Sequence, residues 1–437
     1  MDGKTVLENY SLNKVMLQKI KPKRVDIIIL SHNHQDHIGM VPALYATGKC
    51  NARIIVPKNS TPIIKEMWLD CAWINVRDAE YLSQKSGKYI PPLFDESDVH
   101  MALKYIEEYE SHQIFEITED VSIRYTPAGH IFLSQQTEVI LQGVHPRTIL
   151  FTSDLGNIIT QKQHVFVEEF EPVKKANIVI GECTYSAKGR DMTKKTYDLD
   201  MQKIKSVIEQ YCIDRNQRVL IPTFSLDRMP YMLWNIFTIF GNDKNFDIPI
   251  VIDSPLAIRL LEHYSNLLSG DAKEKFDTMM NWKNIIFITD PEESKAAVMD
   301  KSAKCILSSS GMLTAGRSVK WTESILPVEN DCILFCGYST EGSLAYKIKN
   351  GDTQKTITIN GKPFKNRAQI CNLTSFSSHM QREDLINYYA DINAERVYLV
   401  HSDHNKLQFK DDLEAELGNR CKTTKVICTN KSTKILL

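Results

Sequence analysis

The sequence predicts an α/β protein of more than one packed unit, and three observations carry that expectation. Short β-branched runs alternate with helix-length stretches along almost the whole chain, the order that builds a mainly parallel sheet with helices on its faces. Several runs are apolar at successive positions, as in strands covered on both faces. The 437 residues also exceed the ~100–200 usual for one domain.

In chain order, strands are expected at Val25–Ser31, Arg53–Val56, Thr148–Asp154, Ile178–Glu182, Val219–Pro222, Ile248–Asp253, Ile306–Ser309, Val397–Val400 and Thr424–Ile427. Helices are expected at Ile63–Gln84, Met192–Tyr211, Leu226–Phe240, Ala257–Leu268 and Gln381–Tyr389, and Glu8–Ile20 also reads as helical. No Gly/Ser/Pro-rich linker stands out. The best seams are Ser186–Lys195 and the turn around Gly361–Pro363.

Composition removes several classes. Lys+Arg is 53 against Asp+Glu 54, a net charge of −1, so any polyanion must be met by a local basic surface. Apolar runs such as Ile27–Leu30 fall far short of the ~20 residues that cross a membrane. Met1–Val15 lacks the layout of a secretory signal. Ten scattered cysteines with no CxxC pair read as reduced thiols, which suits a cytoplasmic protein.

The sharpest feature is Ser31-His32-Asn33-His34-Gln35-Asp36-His37-Ile38-Gly39, directly after a predicted strand. Strand ends are where sites gather in α/β sheets. A core does not bury three imidazoles and a carboxylate without partners, whereas zinc favours those donors. His32 and His34 can point one way while Asp36 and His37 turn toward a second ion. One motif cannot close two coordination spheres. Further donors are available at other strand ends: His130 in Pro127-Ala128-Gly129-His130, Asp154 in Thr152-Ser153-Asp154-Leu155-Gly156, and His401 in Val400-His401-Ser402. Singly, a strand-end His is more often structural, and a strand-end Asp often caps a turn. Together they complete a set for two metals.

That ordered set resembles the metallo-β-lactamase superfamily. More narrowly, it is similar to the β-CASP branch of RNA-processing nucleases, related to the cleavage and polyadenylation endonuclease and its bacterial and archaeal homologues. Ile180-Gly181-Glu182-Cys183-Thr184-Tyr185 resembles motif A, Phe376-Ser377-Ser378-His379 motif B and Val400-His401-Ser402 motif C. Pro222–Arg228, Ser308–Leu313 and Gly337–Gly342 look like landmarks of the inserted domain.

The resemblance implies an αββα metallo-β-lactamase sandwich interrupted by a β-CASP α/β insert. The sandwich would open over residues 1–185, the insert would span 186–370, and residues 371–437 would return to the sandwich with motifs B and C. The site would lie in the cleft between the two. The resemblance implies a first zinc on His32, His34 and His130, a second on Asp36, His37 and His401, and Asp154 bridging both. A metal pair of this kind shares a hydroxide that attacks phosphorus. His379 is the implied general acid, because imidazole titrates near working pH, and Glu182 its orienting partner. Ser377 and Ser378 are candidate phosphate contacts. A histidine at motif C resembles the RNA-acting members. The implied activity is a zinc-dependent ribonuclease, an endonuclease on single-stranded RNA.

Lys188, Arg190, Lys194 and Lys195 after motif A, and Lys362, Lys365 and Arg367 before motif B, place basic residues near the seams. Tyr185, Phe224 and Tyr338 fit base stacking or the core equally well.

Two departures from the family pattern stand out. Only about 25 residues precede the first strand, so the leading N-terminal strands are expected to be missing and the first sheet to keep an open apolar edge. A second copy or a partner protein that supplies a strand is the implied partner. Leu133 stands where a small residue, usually Gly, follows the AGH motif. The rival readings are a hydrolase of small esters or lactams on the same fold, and a non-catalytic RNA-binding subunit.

Overall fold

The computed structural model describes residues 6–188, 193–351, 355–402, 405–430 and 433. Arg190, one of the expected basic residues, lies outside them. The chain divides into two compact units that are not contiguous blocks: Pro22–Lys65 with His100–Met192 and Ser378–Leu437, and Met1–Lys21 with Glu66–Val99 and Thr193–Ser377.

The first of these units carries two facing sheets. β1 (Ile27–Ile29), β2 (Arg53–Pro57) and β3 (Ile106–Tyr109) pair in parallel in that order. β4 (Ile114–Thr118), β5 (Val121–Pro127), β6 (Gln135–Leu141) and β7 (Arg147–Phe151) form an antiparallel meander, and β8 (Ile178–Cys183) joins β7 in parallel. Ile55, Ile117, Ile123 and the buried Tyr125 fill the space between the sheets, with Ile27, Ile29 and Phe115 packed against them. The Tyr125 hydroxyl ties the layers by donating to the carbonyls of Leu30 (2.9 Å) and Ile55 (3.1 Å). Among the described residues β1 pairs with β2 alone, so Ile27–Ile29 form a half-buried sheet edge. Residues Val6–Lys19 form a helix with no buried side chain, as the sequence suggests for this stretch.

In the second unit, β9 (Arg218–Pro222), β10 (Ile250–Asp253), β11 (Ile285–Phe287), β12 (Lys304–Ser308), β13 (Cys332–Phe335) and β16 (Gln369–Asn372) build an all-parallel sheet. Its order is β11-β10-β12-β9-β13-β16. The consecutive apolar residues of β9, β12 and β13 are buried throughout, because helices cover both faces of such a sheet. The Arg218–Asp331 pair is buried as well. Arg218 Nε donates to Asp331 Oδ2 at 3.0 Å and Nη1 to Ser324 Oγ at 2.9 Å. β14 (Thr356–Ile359) and β15 (Lys362–Lys365) are an antiparallel hairpin. Asn360 and Gly361 both take positive φ there, 49° and 77°, as a two-residue hairpin turn demands. The Gly361 turn is therefore a hairpin tip inside this unit.

The chain then returns to the first unit with β17 (Arg396–Ser402) and β18 (Lys425–Cys428), completing a seven-stranded sheet of order β18-β17-β8-β7-β6-β5-β4. Helices Arg382–Asp391 and Lys406–Asn419 cover its outer face, burying Leu385, Tyr388, Tyr389, Phe409 and Leu413 against Leu150, Val179 and Leu399. β5, β7, β8 and β17 run in the same direction. Their C-terminal ends therefore open on one edge, and the histidine and carboxylate motifs follow those ends.

Candidate metal centre and acid pair

Every expected ligand lies in one compact unit. His32 and His34 follow β1, and Asp36 and His37 open the short helix Gln35–Ile38. His130 follows β5, Asp154 follows β7, and His401 sits within β17. Ligand atoms of His32, His34, His130 and Asp154 lie within 4.8 Å of one another, as do those of Asp36, His37 and His401.

Asp154 Oδ2 stands 3.6 Å from His32 Nε2, 3.4 Å from His37 Nε2 and 3.7 Å from His130 Nε2. His130 Nε2 lies 3.3 Å from His34 Nδ1, and Asp36 Oδ2 is 3.6 Å from Nε2 of both His37 and His401. Donors held ~2.1 Å from a shared tetrahedral zinc stand roughly 3.4 Å apart, so the separations fit a cation between them. The Nε2 atoms of His32 and His37 are buried and have no hydrogen-bond partner among the described residues. That is the expected state of a ligand nitrogen.

The other ring nitrogens are held. His32 Nδ1 bonds Ser153 Oγ at 3.0 Å, and that hydroxyl donates to Ser31 Oγ at 2.8 Å. His130 Nδ1 donates to the Ser378 carbonyl at 3.2 Å, and His401 Nδ1 meets Thr184 Oγ1 at 2.9 Å. Each bond engages Nδ1 and leaves Nε2 as the nitrogen available to a ligand. Ser31, Ser153 and Thr184 are not singled out by sequence reasoning. Their only signal there is adjacency to a predicted site residue or its motif.

Electrostatics agree with this division. Burial, reinforced by neighbouring imidazoles, holds His32 and His130 well below the usual imidazole range, hence neutral. Burial works to raise Asp154, but His37 at 3.4 Å and the surrounding imidazoles hold it well below the carboxylate range. Asp36 pushes His401 up to about 9, against burial. Two ionised carboxylates confined among these imidazoles create a demand for positive charge.

Glu182, the last residue but one of β8, is 1% exposed. Its Oε1 accepts from Leu155 N–H at 2.7 Å and faces His379 Nδ1 at 3.3 Å, while Oε2 accepts from Thr184 N–H at 3.0 Å. Burial lowers His379, but the Glu182 charge and hydrogen bond outweigh it and raise the imidazole above its ordinary value. The His379 ring packs 4.5 Å from that of His130 and 5.6 Å from that of Tyr185, which meets it edge-on.

Two glycines bring these loops together. Gly129 takes φ +70°, and Gly156 N–H donates to Ala128 O at 2.8 Å, so closely that a Cβ would lie 1.9 Å from Gly129 O. Leu133 has φ +64°, a left-handed conformation that glycine adopts without penalty, which gives a physical reason for the small residue expected there.

Ser378 meets the site through its carbonyl; Ser377 is buried and closes the second unit. Lys188 is paired with Asp412 at 3.0 Å, while Lys362, Lys365 and Arg367 are exposed. Phe224 and Tyr338 are exposed on the second unit.

Facing sheets with imidazole and carboxylate donors at one strand edge define a metal-dependent hydrolase of the metallo-β-lactamase kind. Three family models match in chain order: the metallo-beta-lactamase superfamily over residues 7–71, the Beta-Casp domain over 228–348, and the Zn-dependent metallo-hydrolase RNA specificity domain over 365–424. The chain belongs to the β-CASP branch of the metallo-β-lactamase superfamily. It is 27% identical over 392 residues to a protein named Ribonuclease TTHA0252 from Thermus thermophilus, covering 88% of this chain and 83% of that one. It is 25% identical over 409 residues to Endoribonuclease ysh1 of Schizosaccharomyces pombe, covering 92% of this chain and half of that one. A crystal structure of a protein of unknown function from Enterococcus faecalis shares the fold at a TM-score of 0.50 and 13% identity, over 95% of this chain and 81% of that one. No described helix is long and apolar enough to cross a membrane.

Proposed function

We propose that the protein is a ribonuclease, an endonuclease that hydrolyses phosphodiester bonds in single-stranded RNA with two zinc ions. The observation that carries this reading is the His379–Glu182 pair beside a seven-residue donor set. A phosphodiester needs both charge neutralisation at the phosphoryl oxygens and a proton for the leaving oxygen, and the two groups meet those needs. The matched RNA specificity domain and the names of the relatives point to RNA.

His32, His34, His130 and Asp154 would hold one ion, and Asp36, His37 and His401 the other, with Asp154, 3.4 Å from both His37 and His401, shared. Bound there, zinc supplies Lewis acidity to the phosphoryl oxygens and lowers the pKa of a water. The remaining steps belong to the chain. Asp36, through its contacts with His37 and His401, keeps the second donor group assembled. Glu182 accepts from His379 Nδ1, which leaves Nε2 to carry the proton delivered to the leaving oxygen. Leu155 and Thr184 donate their N–H groups to the Glu182 carboxylate and hold it in that orientation. Ser377 and Ser378 would meet phosphate ahead of helix Arg382–Asp391, and the insert would span 186–370. Ten free cysteines favour a cytoplasmic setting.

The test is a circular and a linear single-stranded RNA and a linear DNA of matched sequence, each incubated with zinc-loaded protein. Linearisation of the circle, with the DNA intact, is expected. Degradation of linear RNA alone would overturn the endonuclease reading, and inertness toward every RNA would overturn the function.

A further inference from the structure

His401 is held in an unusual way. It lies in a β-bulge of β17: Val400 pairs with Glu182 and Ser402 with Cys183, which leaves His401 without an opposite residue. Its φ is +46°, a left-handed conformation that strains a non-glycine residue and persists only where neighbours enforce it. Thr184, the first residue beyond β8, touches it twice. The hydroxyl donates to the His401 carbonyl at 3.2 Å and lies 2.9 Å from His401 Nδ1.

A hydroxyl has one proton. With that proton on the carbonyl, Oγ1 presents a lone pair to the ring, so in the neutral imidazole that binds a metal Nδ1 keeps its hydrogen, facing Oγ1 and also Asp154 Oδ1 at 3.4 Å, and Nε2 is the ligating nitrogen. Nε2 is the atom that stands 3.6 Å from Asp36 Oδ2 in the second donor group. The Thr184 main-chain N–H is itself fixed on Glu182 Oε2.

Resting on the two-metal reading above, we infer that Thr184 is the positioning residue of the second metal position: its hydroxyl clamps the bulged His401 by carbonyl and ring together and selects the tautomer that can ligate. Thr184 touches neither substrate nor metal. Its hydroxyl acts through His401, its main-chain N–H stays on Glu182 in every variant, and the first donor group, built on His32, His34 and His130, is expected to be independent of the hydroxyl.

The experiment measures zinc binding by competition with a chromophoric chelator, on the whole chain and on Thr184→Val, Thr184→Ala and Thr184→Ser. Wild type is expected to bind two equivalents. Thr184→Val is expected to bind the first unchanged and the second roughly 10–100-fold more weakly, at an unchanged unfolding midpoint of the metal-free chain. Thr184→Ser keeps the hydroxyl and is expected to restore the second equivalent. Thr184→Ala takes the place of valine should that variant misfold. Equal weakening of both equivalents, no weakening of either, or a serine variant that behaves like valine would overturn the inference. Fewer than two equivalents in wild type would instead overturn the two-metal reading, and the inference with it.

Discussion

Gly156→Ala turns the close packing at the site into a measurement. A Cβ at this position would stand 1.9 Å from Gly129 O, 2.2 Å from Gly129 C and 2.8 Å from Gly129 Cα. Carbon and oxygen in contact sit ~3.3 Å apart or more, so the loops must separate by about 1.4 Å. All three obstructing atoms are backbone, so no rotamer change relieves the clash. His130 follows Gly129 directly and Asp154 precedes Gly156 by two residues, so the displacement falls on two candidate ligands now 3.7 Å apart. It also strains the Gly156–Ala128 and Asn157–Ser378 main-chain bonds, 2.8 and 2.9 Å. Overpacking of this kind costs ~1–3 kcal/mol, readable as a lower urea midpoint of the metal-free chain. Zinc affinity should fall by at least roughly 10-fold, measured by chelator competition. A variant with wild-type stability and wild-type affinity would refute the packing argument.

Three further outcomes follow from the same contacts. Glu182→Gln removes the charge that raises His379. Because the acid works protonated and is lost as pH rises through its pKa, the alkaline limb of the kcat profile should move to lower pH; an unmoved limb would separate the two residues. Asp331→Ala strands the buried Arg218, a loss of about 3–5 kcal/mol in denaturant unfolding, whereas joint replacement by Arg218→Met and Asp331→Leu should recover most of it. Zinc at 100-fold over its dissociation constant should stabilise the chain by ~2.7 kcal/mol per site, seen as a rise in Tm that a chelator reverses.

The strands β1, β2, β7 to β10, β12, β17 and β18 were legible as short β-branched apolar runs, which in β9, β10 and β12 mark burial on both faces. β6 was not, and its residues show why. Gln135, Gln136, Thr137 and Glu138 are all buried, which no hydropathy pattern announces. Gln136 and Glu138 are held there by partners on other elements: Glu138 by Arg124 of β5 at 2.6 Å, and Gln136 by the Glu171 carbonyl at 2.7 Å and the Tyr388 hydroxyl. The hairpin of β14 and β15 was likewise hidden by its exposed, alternating polar residues.

The candidate ligands were readable because imidazoles crowded at strand ends have few structural uses. The groups that aim them were not. A serine or threonine hydroxyl carries no sign of its role until the fold places Ser153 on His32 and Thr184 on His401. The same holds for Gly156, whose importance depends on Gly129, 27 residues earlier in sequence.

The most direct test of the account compares zinc-loaded wild type with His379→Ala on an end-labelled single-stranded RNA and its DNA counterpart, with bound zinc counted in both proteins. The account predicts RNA-selective cutting by wild type, and a variant that holds the same zinc yet loses roughly 10²–10⁴-fold in rate, the usual share of a general acid. Undiminished cutting by a zinc-replete variant would contradict the role of His379. Absence of cutting by wild type that holds two zinc ions would contradict the ribonuclease itself.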